Sequence, residues 1–182
     1  AAWGPTLYAA TLAGRLFESL ADIHGLDPRH AMLLRTAAIL HDIGAFVGAG
    51  SHHKHSHYLI MNSDIFSLTR RDTALVAMIA RYHRRAVPRD SHAEYMALPH
   101  DDRIAVLKLA ALLRIADALD RSHACKFRRF ECRRERRRLV IAVHGATDAT
   151  IERAALRDKS SLFESVYGLQ VVLENDPGGG AG

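Results

Sequence analysis

Apolar residues recur at spacings of three and four through the first two thirds of the chain, then give way to short apolar runs between turn-forming residues. Leu12, Leu16, Leu20 and Ile23 form one stripe and predict a helix over 5–24. Asp27-Pro28 supplies an N-cap followed by proline at the first helical position, opening a second helix to about Ile43. That helix carries Leu34, Ala38, His41 and Ala45 on one line, and Gly44, Gly48 and Gly50 break it. Ser51 is the expected cap of a third helix ending near Met61. Thr69-x-x-Asp72 has the form of a capping box and opens a fourth helix to about Arg85, beyond which Pro88 prevents continuation. A polar loop through His92 and Pro99-His100 leads to a fifth helix over 102–121, with Val106, Ala110, Leu113 and Asp117 as its inward line.

After Ser122 the texture changes. Residues 127–133 and 139–144 read as two short strands around the turn-like RERR, 148–167 as a helix stopped by Gly168, and 169–173 as a last strand. The tail PGGGAG reads as a flexible end. There is no internal repeat. The expected fold is mainly α: a helical bundle over 1–123, a small α+β appendage over 124–175, and a tail over 176–182.

Composition narrows the class. With 182 residues, 48% hydrophobic and 25% charged, the chain has the make-up of a soluble globular protein. No apolar run approaches the roughly 20 residues of a membrane span, and the first residues lack a signal-peptide pattern. Its start at Ala1 rather than Met suits a fragment or a trimmed chain. Cys125 and Cys132 are too few for a disulfide framework, so a cytoplasmic setting is expected. The net charge of +5 is uneven: between Arg121 and Leu139 nine Lys/Arg face only Glu131 and Glu135, a local +7 that leaves the remainder at −2. Any argument for an anionic partner starts in that segment.

The inward lines carry the chemistry. Asp117 sits on an apolar stripe, where an unpaired carboxylate costs several kcal/mol. His41 poses the same conflict on the second helix and His83 on the fourth. Three helices thus direct ligand-type groups inward, and a metal would remove the conflict. The bland alternatives are a hydrogen-bonded core histidine, an Asp117 paired with Arg81 or Arg114, and a solvated helix start for His52, His53, His55 and His57. Imidazole and carboxylate donors suit Mn, Fe, Zn or Mg without choosing among them. A divalent ion so held suits hydrolysis of a phosphate ester or anhydride.

The blocks LHDIG, SHHKHSHYLI, IARYHRR and LAALLRIADALDRSH, in that order, resemble the C-terminal HD-like domain of the exopolyphosphatase / guanosine pentaphosphate phosphatase family. LRDKSSLFESVYGL resembles that family's small C-terminal appendage, so the likeness covers nearly the whole chain. His41-Asp42 with Asp117 matches the pattern that names the HD superfamily of metal-dependent phosphohydrolases. The resemblance implies an HD-type bundle with metal ligands His41, Asp42 and Asp117, and His52 and His83 as the extra histidines of binuclear members. Asp42, His83 and Arg121 are the candidate catalytic groups. Lys54, Arg84, Arg121, Arg128 and Arg129 are the candidate phosphate-binding groups. Two departures stand out. The opening helix lacks the usual first ligand histidine, with His24 at its far end. The glycine-rich phosphate loops and glutamate base of the family's N-terminal ATPase-like lobes are also missing.

Three readings follow. The first is a metal-dependent phosphohydrolase acting on polyphosphate or a phosphorylated nucleotide. The second is a non-catalytic polyphosphate-binding or dimerisation module, working with ATPase-like N-terminal lobes or as a homodimer. The third, an RNA-binding or regulatory domain, is disfavoured because few aromatics interleave with the arginines. The basic segment also has a plain reading, as a solvated hairpin whose charges blunt a strand edge.

Overall fold

The computed structural model describes residues 5–46, 51–65, 67–127, 129–145 and 148–176. Gly48, Gly50, Arg128 and the tail PGGGAG lie outside them. The chain runs α1 (Pro5–Ser19), α2 (Ala21–His24), α3 (Arg29–Leu40), a 3-10 turn (Ile43–Phe46), α4 (His52–Met61), α5 (Arg70–Arg81), α6 (Ala93–Met96) and α7 (His100–Leu119). It continues through β1 (Phe130–Glu135), β2 (Arg138–His144), α8 (Thr150–Lys159), α9 (Ser161–Tyr167) and β3 (Gln170–Asp176). The fold is mainly helical with a small three-stranded sheet at its C-terminal end. Among the described residues no helix is long and apolar enough to cross a membrane.

The long helix α7 is the axis. Helices α1, α3, α5, α8 and α9 all pack on it, and every residue from Leu109 to Asp120 is buried. A helix surrounded this way needs apolar residues on all sides, which LAALLRIADAL supplies except at Arg114 and Asp117, with Asp120 just beyond it. The buried cluster runs without interruption from Leu12 and Leu34 through Val76 and Leu112 to Ile141 and Phe163. The strands are ordered β1-β2-β3, antiparallel then parallel, with Cys132 opposite Ile141 and Val140 opposite Val172. Parallel pairing of β2 with β3 requires a crossover, and α8 with α9 forms it. The central strand reads LVIAV because both its faces are covered.

Several boundaries differ from the sequence expectation. The first helix is interrupted at Leu20 and the last at Ser160, so each becomes two. Ser51 precedes α4 but offers no side-chain cap; its φ is +61° and its carbonyl accepts from the amides of Lys54 and His55. Thr69 and Asp72 do form a reciprocal capping box. The fourth helix stops at Arg81 rather than Arg85, because Arg114 claims the carbonyls that follow. Its Nε binds Tyr82 O at 2.8 Å, and its Nη2 binds Arg84 O and Ala86 O. α6 falls in what reads as a polar loop, closed by Tyr95, whose hydroxyl donates to Arg103 O.

Candidate functional site

The site forms where α3 and α5 end. The chain leaves α3 at His41 and turns tightly, because Gly44 lies against the start of α4. A Cβ there would overlap the His52 carbonyl and the Ser56 amide nitrogen and come within 2.8 Å of His55 Cβ. Buried Ser56 locks the turn, donating to His41 O at 2.6 Å and accepting from Gly44 N at 2.9 Å. These contacts place His52, on α4, beside Asp42. His83 lies two residues beyond α5, not on it, held by the segment that Arg114 anchors.

His41 and His83 are oriented alike. Each donates from Nδ1 to the carbonyl three residues earlier, Ala38 at 2.7 Å and Ala80 at 2.5 Å. Both rings therefore turn Nε2 toward the same space, with ring centroids 4.8 Å apart. Backbone fixation of one nitrogen to free the other is how ligand histidines are usually held. Asp42 Oδ2 lies 3.2 Å from His41 Nε2, while Asp42 Oδ1 lies 3.4 Å from His52 Nε2 and 3.6 Å from His83 Nε2. His41 Nε2 is buried and makes no well-aligned hydrogen bond. Among the described residues, His41, Asp42 and His83 present ligand atoms all within 4.8 Å of one another. A buried, unbonded imidazole nitrogen beside a carboxylate suits a cation between them.

Asp117 enters from α7 and is neutralised in a way the sequence did not suggest. Its Oδ1 is 3.6 Å from His41 Nε2, and its Oδ2 accepts from the ammonium of Lys159 on α8. Neither arginine weighed as its partner fills that role: Arg81 pairs with Glu94 at 2.7 Å, and Arg114 serves backbone carbonyls. Burial favours the neutral His41 ring, but Asp117 and Asp42 beside it outweigh this and push its pKa up to about 10. Burial, reinforced by the charge of His41, pushes His83 down. Burial would raise both carboxyls, yet His41 holds Asp42 and, with Lys159, Asp117 below the usual carboxylate range.

Two cavities adjoin the cluster. One, of about 450 Å³, is walled by Ala9, Ile39 and Leu40 and opens onto His41, Asp42 and Asp117. Asp120 and His123, 3.4 Å apart, stand on its rim. The other, of about 350 Å³, is basic, lined by Arg84, Arg85, Arg114, Arg121 and Lys159, with Asp158 as its acid and Ser161 as its hydroxyl. Arg84 Nη1 reaches the His52 ring at 3.2–3.3 Å, so the basic wall touches the cluster.

The fold thus gathers His41, Asp42, His52, His83 and Asp117, and sets Arg84 and Arg121 in one cavity. Lys54 is exposed on the first turn of α4, outside that cavity. Arg129 is exposed ahead of β1, and Arg128 lies outside the described residues. In the basic segment, Lys126 pairs with Glu152, Arg133 with Glu174, Arg134 with Asp22 and Arg138 with Glu135. His57 turns to Glu94, 3.6 Å away. His24 is a buried structural residue, with Nε2 on Phe17 O and Nδ1 accepting from Leu26 N. Lys159 and Arg85 escaped the sequence reading. The signal for Lys159 was present: it continues the line of Glu152, Ala155 and Leu156 that faces inward on α8.

The fold and its cluster define a helical domain in which buried His41 and His83 meet an exposed Asp42 beside a cationic cavity. Residues 8–159 match the family described as Ppx/GppA phosphatase, domain III, and the chain belongs to this family. The guanosine-5'-triphosphate,3'-diphosphate pyrophosphatase of Vibrio vulnificus (strain YJ016) is 34% identical over 104 residues, which is 57% of this chain and 20% of the relative. The proteins of the same name from Vibrio parahaemolyticus serotype O3:K6 (strain RIMD 2210633) and Vibrio campbellii (strain ATCC BAA-1116) are 34% and 33% identical, each over 104 residues, 57% of this chain and 20% of the relative. The matched part is about a fifth of the length of these curated relatives.

Proposed function

We propose that this chain is the helical part of a Ppx/GppA-type phosphohydrolase, of HD character, in which His41, Asp42 and His83 hold a divalent metal with His52 and Asp117 at hand. The observation that carries this is the convergence of two backbone-fixed Nε2 atoms on the Asp42 carboxylate, one of them buried without a hydrogen bond. Mn, Fe, Zn or Mg is compatible with these donors. Bound there, such an ion would polarise a phosphoryl oxygen and activate water. The protein's own groups do the rest. Ala38 O and Ala80 O orient the imidazoles, Asp42 bridges them, and Arg84 and Arg121 balance the charge of an incoming phosphate. The substrate class is a phosphoanhydride or phosphoester: polyphosphate, or a guanosine nucleotide phosphorylated at both 5' and 3' positions as in the relatives' name.

A second reading has its own support. Lys159 neutralises Asp117 without any metal, and the relatives are several times longer than the matched segment. On that reading the chain is a polyphosphate-binding or dimerisation module serving ATPase-like lobes elsewhere in the protein. One experiment separates the two: metal content and phosphate release of the intact chain, beside Asp42→Ala. The first reading expects stoichiometric transition metal and turnover, both lost in Asp42→Ala with an unchanged circular dichroism spectrum. Metal-free, inactive protein after supplementation, with salt-sensitive binding of polyphosphate, refutes it in favour of the second.

A further inference from the structure

Lys159 belongs to two sites. From the last turn of α8 its ammonium is bonded to Asp117, and the same side chain walls the basic cavity beside Arg84, Arg85 and Arg121. The Lys159 and Asp117 side chains are only 15% and 12% exposed, so the pair is not a solvated surface contact. Asp117 is not one of the compact trio of His41, Asp42 and His83; its Oδ1 lies 3.6 Å from His41 Nε2 and its Oδ2 is engaged by the lysine. An ammonium and a divalent cation both seek this carboxylate, and their mutual repulsion in a poorly solvated setting opposes joint occupancy. The cavity offers the lysine another position. Arg114 on its wall is committed to backbone carbonyls, which leaves Arg84, Arg85, Arg121 and Lys159 facing Asp158. A walled excess of cations of this kind favours a tetrahedral oxyanion.

Resting on the metal centre proposed above, we infer that Lys159 is an exchangeable cation: it occupies Asp117 in the metal-free centre and moves into the basic cavity, onto a phosphate or sulfate dianion, when a metal takes Asp117. Metal and oxyanion then favour each other's binding reciprocally.

Calorimetric titration of the intact chain with Mn2+, with and without sulfate, tests this in the native protein and in Lys159→Met. Loss of the ammonium should tighten Mn2+ binding at least about fivefold, the lower end of ordinary coupling between sites. Sulfate should tighten Mn2+ binding to the native protein and leave Lys159→Met unmoved. Lys159→Gln repeats the measurement should the methionine variant fail to fold. The native protein offers an independent readout: amine-reactive labelling of Lys159, followed by mass spectrometry, should accelerate when Mn2+ is added. Mn2+ binding that is unchanged or weaker in the variants, or labelling indifferent to Mn2+, overturns the inference and leaves the metal centre standing. No Mn2+ binding in native protein and variants alike refutes the metal centre itself, and the inference with it.

Discussion

Arg114→Met removes the anchor that shapes the segment carrying His83 and Arg84. Methionine keeps an unbranched apolar stem at this position on α7 but cannot donate to the three carbonyls that the guanidinium serves. Tyr82 is wholly buried, so its carbonyl would be left without a partner, at about 1–3 kcal/mol. The carbonyls of half-buried Arg84 and Ala86 can partly rehydrate, and each loses a charge-assisted bond worth about 1.5–3 kcal/mol before that relief. Release from the guanidinium's own burial, which already depresses its pKa to about 10, offsets part of the loss. The net expectation is about 3–5 kcal/mol, as when one partner of a buried charged network is deleted. Urea unfolding followed by circular dichroism measures it. With a slope near 2 kcal/mol per molar, the midpoint should fall by roughly 1.5–2.5 M at unchanged slope. Arg138→Met, which breaks the exposed Arg138–Glu135 pair, is the control and should cost less than about 1 kcal/mol. A loss below about 1 kcal/mol for Arg114→Met would show that the carbonyls find water readily and that something else holds His83.

Two further expectations are simpler. Ser56→Ala unties the turn at Gly44 and leaves His41 O and Gly44 N without their bridge, so stability should fall by about 1–3 kcal/mol and Mn2+ affinity with it; unchanged affinity would mean the turn is held otherwise. His24 should make folding pH-sensitive. Burial lowers its pKa, with Lys108 adding to the effect, so its contribution is complete above the ordinary imidazole value of about 6.5 and is lost as pH falls below it. The native protein should lose stability between pH 6.5 and 5 more steeply than His24→Gln, in thermal melts of metal-free samples.

Much of this was legible along the chain because it is local. Spacings of three and four marked the major helices, Thr69 and Asp72 announced a cap that does form, and residues 139–144 read as a strand that does form. His41, His83 and Asp117 stood out as polar groups on inward lines, a conflict visible without coordinates. What closes each conflict is not local. Lys159 lies 42 positions from Asp117, and Arg114 lies 28 to 32 positions from the carbonyls it gathers. The sequence by itself marked His41, His83 and Asp117 as side chains that turn inward, since periodicity and burial cost act within one helix, whereas Ala45, expected on the line of His41, lies beyond the end of α3 and is exposed. Only the tertiary structure chose their partners, because a buried charge takes whichever opposite charge the packing of α7, α8 and the end of α5 brings within reach.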